Sequence, residues 1–426
     1  MSDKEYAFEM ATSQIRFGSG ATREVGMDLV NLGVKKVLLI TDPVVRNLQP
    51  FVTVQQSLDS QNINYEVYDE VRVEPSEESM LKAIDFTSKG NFDAFVAVGG
   101  GSTLDTAKAT NLYSTYPADF LTYVNAPIGA GQPVPGPLKP LIAIPTTAGT
   151  GSETTGVAIF DLLDRKLKTG IASRMLKPML GIVDPENTRT LPPLAIAAPG
   201  LDVLCHAIES FTALPYQQRP RPEQPHIRPA YQGSNPISDI WVLQALKMID
   251  KYLIRAYRDP DDEEARGQML LASSYAGMGF GNSGVHLCHG MSYPISSKVR
   301  DYYPPGYPED HPIVPHGLSV ALTAPAVFRF TSSACPERHL LAAQCLGADV
   351  RGVDAADAGE AVAQRLIEIL RTLDMPNGLA AIGYTADDAL ALAEGTLPQH
   401  RVTKLSPRPA EKDDLVELFK QSLVLW

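Results

Sequence analysis

The sequence predicts an α/β N-terminal domain, Rossmann-like and built on a parallel sheet, followed by an all-α C-terminal domain. Three observations support this prediction. A chain of 426 residues is long enough for two ordinary domains. Short β-rich runs alternate with helical patterns in the first half, which is typical of a parallel sheet with crossover helices. Long helical patterns fill the second half, beyond the stretch Asp184–Pro193, so we expect domains of residues 1–193 and 194–426.

Four continuous apolar runs are the predicted strands, because strands that are covered on both faces do not alternate in polarity. They are Val37–Thr41, Asn64–Tyr68, Phe95–Val98 and Leu141–Pro145. The predicted helices of the second half are 194–213, 236–257, 261–280, 284–298, 316–331, 337–347, 355–374 and 410–424. Two long Pro-rich interruptions, Gln217–Pro236 and Asp301–Pro315, have a length that usually indicates a functional or interfacial role.

The charge balance and the apolar runs narrow the class of protein. A net charge of -12 without a basic stripe repels phosphate backbones, so we expect no nucleic-acid partner. We also expect no membrane span, since no apolar run reaches the length of a bilayer crossing. The expected location is cytoplasmic, or the mitochondrial matrix if the chain is eukaryotic and its presequence has been removed. Four scattered cysteines indicate a reducing compartment, and Cys205 and Cys288 are expected to be small buried side chains rather than ligands.

A glycine-rich loop after the third predicted strand opens a helix. Its candidate cofactor contacts are Gly100, Gly101 and Ser102. Glycines there let backbone N–H groups approach a pyrophosphate, and the helix N-terminus adds donors and a positive dipole end. The loop lacks the spacing of the common Rossmann fingerprint, so a plain tight turn is the alternative.

A second loop, rich in threonine, follows the fourth predicted strand. Thr146, Thr147 and Thr150 could hydrogen-bond phosphate or ribose oxygens. Because the carboxyl ends of parallel strands meet at one edge of a sheet, both loops should serve one dinucleotide. Asp42, after the first strand, would accept from the adenosine ribose and favour NAD over NADP; an ordinary turn residue is the alternative. Lys168 would reach the ribose or phosphates, with a solvated lysine as its alternative.

One carboxylate and three imidazoles form a candidate metal site. Asp202 and His206 are spaced i, i+4, so they share one face of a predicted helix. His289 and His316 lie in two later segments. This donor set suits a borderline divalent cation, zinc or ferrous iron, better than a hard ion such as calcium.

These stretches together resemble the iron-containing (group III) alcohol dehydrogenase family over nearly the whole chain. The motifs that carry the resemblance are Gly99-Gly-Gly-Ser, Pro145-Thr-Thr-Ala-Gly-Thr-Gly-Ser-Glu, Asp202-x-x-x-His206, Asn235-Pro-Ile-Ser-Asp239, Pro315-His-Gly317 and Pro407-Arg-Pro. The resemblance implies the fold shared with dehydroquinate synthase, with a metal, Fe(II) or Zn(II), in the cleft between the domains. It assigns the four residues of the candidate metal site as ligands, and the two loops with Asp42 and Lys168 as contacts of NAD(H). A homodimer is a further expectation from the family.

Within the family, segments 228–241, 284–296 and 395–405 are most similar to those of members that transfer hydride between a hydroxyacid and an oxoacid. This similarity implies oxidation of 4-hydroxybutyrate to succinate semialdehyde, with reduction of 2-oxoglutarate to D-2-hydroxyglutarate through a tightly bound NAD. The alternative is an NAD-dependent alcohol dehydrogenase that exchanges its cofactor. A lyase of the dehydroquinate synthase type is disfavoured because the metal segments are mostly apolar, and a non-catalytic module because all four ligands are intact.

Two departures from the wider family lie near the third ligand. Tyr293 stands where many relatives carry a second histidine, and Ser297–Pro315 is unusually long. His286, His289 and Tyr293 follow i, i+3, i+7, so they are predicted to share a helix face. Tyr293 and His286 are therefore the catalytic candidates, for relaying a proton or fixing the substrate. A packed aromatic and a satisfied histidine are the respective alternatives.

The expected substrates carry a carboxylate remote from the reacting carbon, so a cationic partner is expected as well. The candidates lie in or beside the two Pro-rich interruptions and are Arg219, Arg221, Arg228, Lys298 and Arg300. A solvated surface charge is the alternative for each of them.

Overall fold

Six strands of the first half form one parallel sheet, which confirms the predicted fold class of that half. The computed structural model describes residues 4–307 and 309–426. The strands are β1 (Gln14–Phe17), β2 (Lys36–Ile40), β3 (Asn64–Tyr68), β4 (Ala94–Gly99), β5 (Leu141–Pro145), β6 (Val157–Leu162), β7 (Leu167–Ala172) and β8 (Leu180–Val183). Their order in the sheet is β1-β8-β5-β4-β2-β3, and β6 and β7 pair separately. The four predicted strands are confirmed to within one residue at each end, whereas β1, β6, β7 and β8 are additional.

Both faces of the sheet are covered, which explains the continuous apolar runs. The helices of this half are α1 (Val25–Asn31), α2 (Gln49–Ser60), α3 (Glu77–Ser88) and α4 (Gly101–Thr115). On β2, Val37 and Leu39 pack in a core with residues of α1 and α2. Leu38 and Ile40 of the same strand pack in a second core with residues of α3 and α4. Burial on both faces fixes the register of the strands, and with it the position of the loops that follow them.

The second half is helical, as predicted. Its helices are α5 (Leu194–Thr212), α6 (Pro236–Arg258), α7 (Glu263–Ser283), α8 (Leu287–Ser297), α9 (His316–Ala321), α10 (Ala324–Thr331), α11 (Pro336–Cys345), α12 (Ala358–Thr372), α13 (Ala389–Thr396), α14 (His400–Thr403) and α15 (Lys412–Gln421). Seven predicted helices are confirmed to within three residues at each end. The predicted helix 316–331 is instead α9 and α10, because Pro325 cannot donate the backbone hydrogen bond that would continue α9. Helices α13 and α14 are additional.

Two compact units divide the chain close to the predicted boundary. The sheet unit comprises Ala11–Arg165 and Thr169–Leu191. The helical unit comprises Pro192–Trp426, together with residues 4–10 and Lys166–Lys168. The prediction that residues 1–193 form one domain is therefore wrong for these two short segments. Residues 4–10 are held in the helical unit partly by Glu5, whose carboxylate accepts a hydrogen bond of 3.0 Å from Arg228 Nε.

One helix, α5, is long and apolar enough to cross a membrane by length and composition alone. The helix has 19 residues. Its most apolar stretch of 18 residues has a mean hydropathy of 1.3, and 83% of that stretch is buried. The expectation that no such run exists is therefore wrong. The burial of α5, and the charged groups Asp202 and Glu209 that it carries, are typical of a core helix of a folded unit.

Candidate active site

Helix α5 presents the first two candidate ligands on one face. Asp202 and His206 are both buried, and His206 Nδ1 lies 3.7 Å from Asp202 Oδ2. The ring of His206 stacks on Phe280 of α7 with the two centroids 3.8 Å apart. This contact fixes the plane of the imidazole, and the predicted shared helix face is confirmed.

His289 of α8 and His316, the first residue of α9, complete the cluster. Their Nε2 atoms lie 3.4 Å and 3.8 Å from Asp202 Oδ1, respectively. Gly317 allows α9 to approach α5 this closely, since a Cβ there would lie 1.9 Å from the carbonyl oxygen of Ala198. The absence of a side chain at this glycine of the Pro-His-Gly motif therefore allows His316 to lie beside the carboxylate of Asp202.

Three of these residues bring unpaired ligand atoms together. Asp202, His206 and His289 each offer one ligand atom, and these atoms lie within 4.8 Å of one another. Asp202 Oδ1, His206 Nδ1 and His289 Nε2 are buried and have no hydrogen-bond partner among the described residues. Leaving buried polar atoms unpaired is unfavourable and therefore rare. A divalent metal ion would satisfy these atoms, so the residues fit the metal expected for them.

A buried glutamate that the sequence did not single out orients His289. Glu209 lies seven residues after Asp202 on α5 and is fully buried. Its Oε2 contacts His289 Nδ1, and its Oε1 accepts from the backbone N–H groups of His286 (3.1 Å) and Cys288 (2.7 Å). A carboxylate at Nδ1 holds the proton there and leaves Nε2 to a metal. The i, i+7 spacing from Asp202 was the only signal of this role in the sequence.

Electrostatics prepare the cluster for a cation. Burial by itself raises the pKa of Asp202, but the imidazoles of His206 and His316 outweigh it and hold that pKa well below its usual range. Burial lowers the pKa of His206 to about 3, which keeps its ring neutral. Burial also acts downward on His289, yet Glu209 and Asp202 outweigh it and raise the pKa to about 9. Binding of a metal at Nε2 of His289 would therefore release a proton.

Both ring nitrogens of His286 make structural contacts. The residue is the N-cap of α8, so it precedes the helix that carries His289 and Tyr293. Its Nδ1 accepts the backbone N–H of Leu287 (2.8 Å), and its Nε2 lies 3.0 Å from Thr212 Oγ1. Burial lowers its pKa to about 4. The predicted shared helix face is wrong for His286, and its geometry supports a structural role rather than the predicted catalytic one.

Tyr293 lies one turn beyond His289 on α8 and is buried. Its hydroxyl oxygen accepts a hydrogen bond of 2.5 Å from Nη2 of Arg401. Because that oxygen already accepts from a cation, its own proton is the part of the hydroxyl that can be donated to a substrate. This geometry is compatible with the predicted proton relay or substrate contact, which stays a prediction.

Two of the five cations predicted to bind a substrate carboxylate are paired within the fold. Arg228 pairs with Glu5 at 3.0 Å. Arg300 forms two parallel bonds to Asp388, at 2.8 Å and 2.9 Å. The remaining candidates are Arg219 and Lys298, which are half-buried, and Arg221, which lies exposed over the ring of Tyr6.

The expected burial of the two cysteines beside the ligands is confirmed. Cys205 and Cys288 are buried and carry free thiols. Burial raises the pKa of both thiols well above the usual value, so both side chains are neutral and pack as small apolar groups.

The two loops expected to bind a dinucleotide leave the sheet side by side. Strands β4 and β5 are neighbours, and Gly99 is in register with Pro145. The backbone N–H of Thr146 donates to the carbonyl oxygen of Gly99 at 3.0 Å. The sequence-based expectation that both loops lie at one carboxyl edge of the sheet is therefore confirmed.

Close packing between these loops explains their small residues. Gly100 is the N-cap of α4, and a Cβ there would lie 3.3 Å from Thr147 Oγ1. A Cβ at Gly101 would lie only 2.5 Å from Cγ2 of Thr150. Glycine thus lets the start of α4 approach the threonine loop, which places the backbone donors of one loop beside the hydroxyl groups of the other.

Asp42 caps the turn after β2. Its Oδ1 accepts hydrogen bonds from the backbone N–H groups of Val44 and Val45, both at 2.9 Å. These bonds are the ones expected of an ordinary turn residue, which is the alternative interpretation of Asp42. Its Oδ2 accepts from Thr103 Oγ1 at 3.5 Å, a long contact that still permits a ribose hydroxyl to bind this oxygen.

Ser102 and Lys168 are also engaged within their own units. Ser102 Oγ accepts the backbone N–H of Glu74 at 3.1 Å. Lys168 is buried, which excludes the solvated lysine, and its carbonyl accepts from Gln399 Nε2 at 3.0 Å. It groups with the helical unit, so its predicted contact with the ribose or phosphates stays a prediction.

Comparison with known proteins identifies the family. The family models described as iron-containing alcohol dehydrogenase and as Fe-containing alcohol dehydrogenase family, C-terminal, match residues 12–185 and 229–423. The chain is 61% identical over 424 residues to the protein named hydroxyacid-oxoacid transhydrogenase, mitochondrial, of Bos taurus, covering 99% of this chain and 91% of the relative. The protein of that name from Homo sapiens is 58% identical with the same coverage.

Solved structures give the same answer. A 1,3-propanediol oxidoreductase is 26% identical with a TM-score of 0.85, covering 98% of this chain and 100% of that chain. A sulfoacetaldehyde reductase from Bifidobacterium kashiwanohense in complex with NAD+ is 25% identical with a TM-score of 0.78, covering 97% and 98%. The matches to both family models and the identity along nearly the whole chain confirm the resemblance found in the motifs, and the chain belongs to the iron-containing alcohol dehydrogenase family.

Proposed function

We propose that this protein is a hydroxyacid–oxoacid transhydrogenase. It would oxidise 4-hydroxybutyrate to succinate semialdehyde and reduce 2-oxoglutarate to D-2-hydroxyglutarate. The observation that carries the proposal is the identity of 58–61% over 99% of the chain to relatives of that name. The cluster of Asp202, His206 and His289 in the helical unit supports it as well, because a bound metal would satisfy their unpaired buried atoms.

The proposal requires NAD(H) and a divalent metal, Fe(II) or Zn(II). The loops after β4 and β5 would hold the dinucleotide, and Asp202, His206, His289 and His316 would hold the metal. When bound, the metal supplies a Lewis acid that lowers the pKa of the substrate hydroxyl, and the nicotinamide supplies a hydride carrier. The two half-reactions share one tightly bound dinucleotide in this proposal, so no net NAD is consumed.

The chain's own residues would bind, orient and protect the reacting groups. Glu209 holds a proton at Nδ1 of His289 and so fixes which nitrogen faces the cluster. Phe280 covers the ring of His206 and helps to exclude water. Tyr293 would exchange a proton with the substrate oxygen, since its hydroxyl proton can still be donated.

A label-transfer assay tests the proposal. Purified protein would be mixed with 4-hydroxybutyrate deuterated at C4 and with 2-oxoglutarate, without added NAD. Deuterium should appear at C2 of 2-hydroxyglutarate in step with the formation of succinate semialdehyde. A His289→Ala variant serves as the control and should give neither product.

The alternative is an NAD-dependent alcohol dehydrogenase with an exchangeable cofactor. It is favoured by the similarity to a 1,3-propanediol oxidoreductase and to an alcohol dehydrogenase from Oenococcus oeni, both 26% identical. In the same assay, absence of 2-hydroxyglutarate without added NAD, with steady NADH production once NAD is supplied, would select this alternative.

Location and assembly complete the proposal. The relatives are named mitochondrial, so we place the protein in the mitochondrial matrix if the chain is eukaryotic. Its partners would be the small hydroxyacid and oxoacid substrates and a second copy in a homodimer. Light scattering on the metal-loaded protein tests the dimer, with a monomer mass as the contrary result.

A further inference from the structure

The guanidinium group of Arg401, on the short helix α14, is buried against two tyrosines. Its Nη2 donates to the hydroxyl oxygen of Tyr293 at 2.5 Å. Its central carbon lies 4.9 Å from the ring centroid of Tyr231. Its Nη1 is buried and has no hydrogen-bond partner among the residues that the structure describes. The fold therefore leaves a buried, charged donor open at this position.

No carboxylate of the described chain balances this charge. Arg338 shows what a balanced arrangement looks like in the same unit. It also lies over an aromatic ring, that of Phe211, but its Nη2 binds Asp239 at 2.6 Å. Arg401 has the aromatic platform without the carboxylate. A buried cation without a counter-ion is strongly unfavourable, and the arginine fork matches a carboxylate in shape and charge. The missing partner is therefore an anion from outside the chain.

Two lines of contact connect Arg401 with the ligand cluster. Tyr293, which binds the guanidinium, lies four residues after His289 on α8 and so on the same helix face. On the other side, the ring of Tyr231 packs edge-on against Phe280 with centroids 6.4 Å apart. Phe280 in turn stacks on His206. The open nitrogen thus lies in the neighbourhood of the metal ligands.

We propose that Arg401 binds the carboxylate of the substrate and that Tyr293 positions the guanidinium for it. This inference rests on the proposed function, in which the hydroxyacid carries a carboxylate remote from the carbon that is oxidised. Arg401 would make the site select short hydroxyacids over neutral alcohols of the same length. None of the five cations predicted from the sequence is needed for this role.

Ligand binding and turnover test Arg401 separately. Calorimetry on the metal-loaded protein would compare butyrate, which carries the charge, with neutral butyramide. Arg401→Gln should weaken butyrate binding by about tenfold or more, as expected for loss of a charge-assisted pair, and leave butyramide binding unchanged. The same variant should raise the KM for 4-hydroxybutyrate far more than the KM for 1-butanol, because 1-butanol has no carboxylate to lose as a partner. Arg408→Gln is the matched control, because Arg408 also lies over an aromatic ring but is exposed.

The outcomes separate the two proposals. If the transhydrogenase proposal is wrong, the wild type forms no 2-hydroxyglutarate, yet its preference for butyrate still depends on Arg401. If the Arg401 proposal is wrong, the wild type turns over both substrates, and Arg401→Gln binds butyrate as tightly as the wild type does. Should the glutamine variant fail to fold, Arg401→Lys decides. It retains a charge and should still prefer butyrate to butyramide, and loss of that preference in a folded lysine variant would overturn the proposal.

Discussion

Each unit of this protein buries a cluster of charged groups, and the two clusters differ in how their polar atoms are satisfied. In the helical unit, Asp202, His206 and His289 each leave one buried atom without a hydrogen-bond partner among the described residues. In the sheet unit, Lys108 is fully buried as well, but its ammonium donates to Ser152 Oγ at 2.5 Å and to the carbonyl of Val157 at 2.8 Å. The first cluster is open, and the second is closed.

The closed cluster ties secondary-structure elements together. Asp105 of α4 accepts from Ser152 Oγ at 2.6 Å and from the backbone N–H of Ile159 in β6 at 2.9 Å. Its carboxylate also lies 3.5 Å from the ammonium of Lys108. Burial and charge are common to both clusters, so neither marks a functional site alone. A functional site is better recognised by buried polar atoms that converge without hydrogen-bond partners, because no contact within the fold offsets the cost of their desolvation.

The largest expected effect is loss of the open cluster. His289→Ala should reduce the bound metal to roughly a tenth or less of the wild-type content and abolish turnover, because folded metal sites depend on each ligand. Metal analysis of protein purified without air or chelator measures this. The matched control is His339→Ala, since His339 is also buried but both its ring nitrogens are bonded, to Thr331 Oγ1 and to the carbonyl of Cys335, each at 3.0 Å. The control should lose stability and keep its metal; a full metal content in His289→Ala would refute the site.

Breaking the closed cluster should have the opposite signature. Lys108→Met leaves the half-buried carboxylate of Asp105 without its cation, which costs roughly 3 kcal/mol in the free energy of unfolding of the sheet unit. Metal affinity should be unchanged. Urea unfolding and metal titration measure the two quantities. The double variant Lys108→Met/Asp105→Leu should recover part of the stability, because it removes both partners. Loss of metal in Lys108→Met at unchanged stability would contradict the assignment of this cluster as structural.

A smaller effect is expected from the residue that orients a ligand. Glu209→Gln removes the charge at Nδ1 of His289 but can still accept from the backbone N–H of Cys288. Metal affinity should fall by about 10–100-fold, the usual cost of changing such a partner. A competition titration with a chelator measures it. Glu417→Gln, on the exposed face of α15, is the control for loss of one negative charge, and equal affinities of the two variants would show that Glu209 only supports packing.

The sequence predicts the residues whose roles depend on their spacing from near neighbours along the chain. The i, i+4 spacing of Asp202 and His206 predicts that both lie on one helix face. The position of the glycine and threonine loops directly after strands predicts their role in cofactor binding. The sequence did not predict Glu209 or Arg401. Their partners lie 80 and 108 residues away along the chain, so the contacts exist only once the helices have packed.

The incorrect prediction that His286 shares the helix face of His289 has a related cause. The predicted helix begins at residue 284, whereas α8 begins at Leu287. Because the helix begins three residues later than predicted, His286 is its N-cap instead of a residue on its face. Helix ends are the least predictable part of an element. The structure also shows that His286 is bonded at both ring nitrogens, which no spacing argument can reveal.

Lys177 provides an intermediate case in the sheet unit, with a smaller expected effect. Burial lowers its pKa to about 7, and the charges of Arg174 and Lys108 add to the shift. The unfolded chain keeps its proton at Lys177 up to the ordinary pKa of 10.5, whereas the folded chain releases it near 7. The unfolded state therefore binds more protons between these values, so stability rises with pH across this window. We expect a gain of about 2 kcal/mol between pH 7 and pH 9.

Replacing this lysine isolates the titration from that of all other groups. Lys177→Met should be more stable than the wild type at pH 7, and this advantage should shrink as the pH rises towards 10. Urea unfolding of the sheet unit at several pH values measures the difference, with Lys35→Met as the control for loss of one exposed lysine. An advantage that stays constant with pH would mean that Lys177 keeps its proton in the folded state. The carbonyl of Ala11, to which its ammonium donates, would then belong to a cluster as closed as that of Lys108.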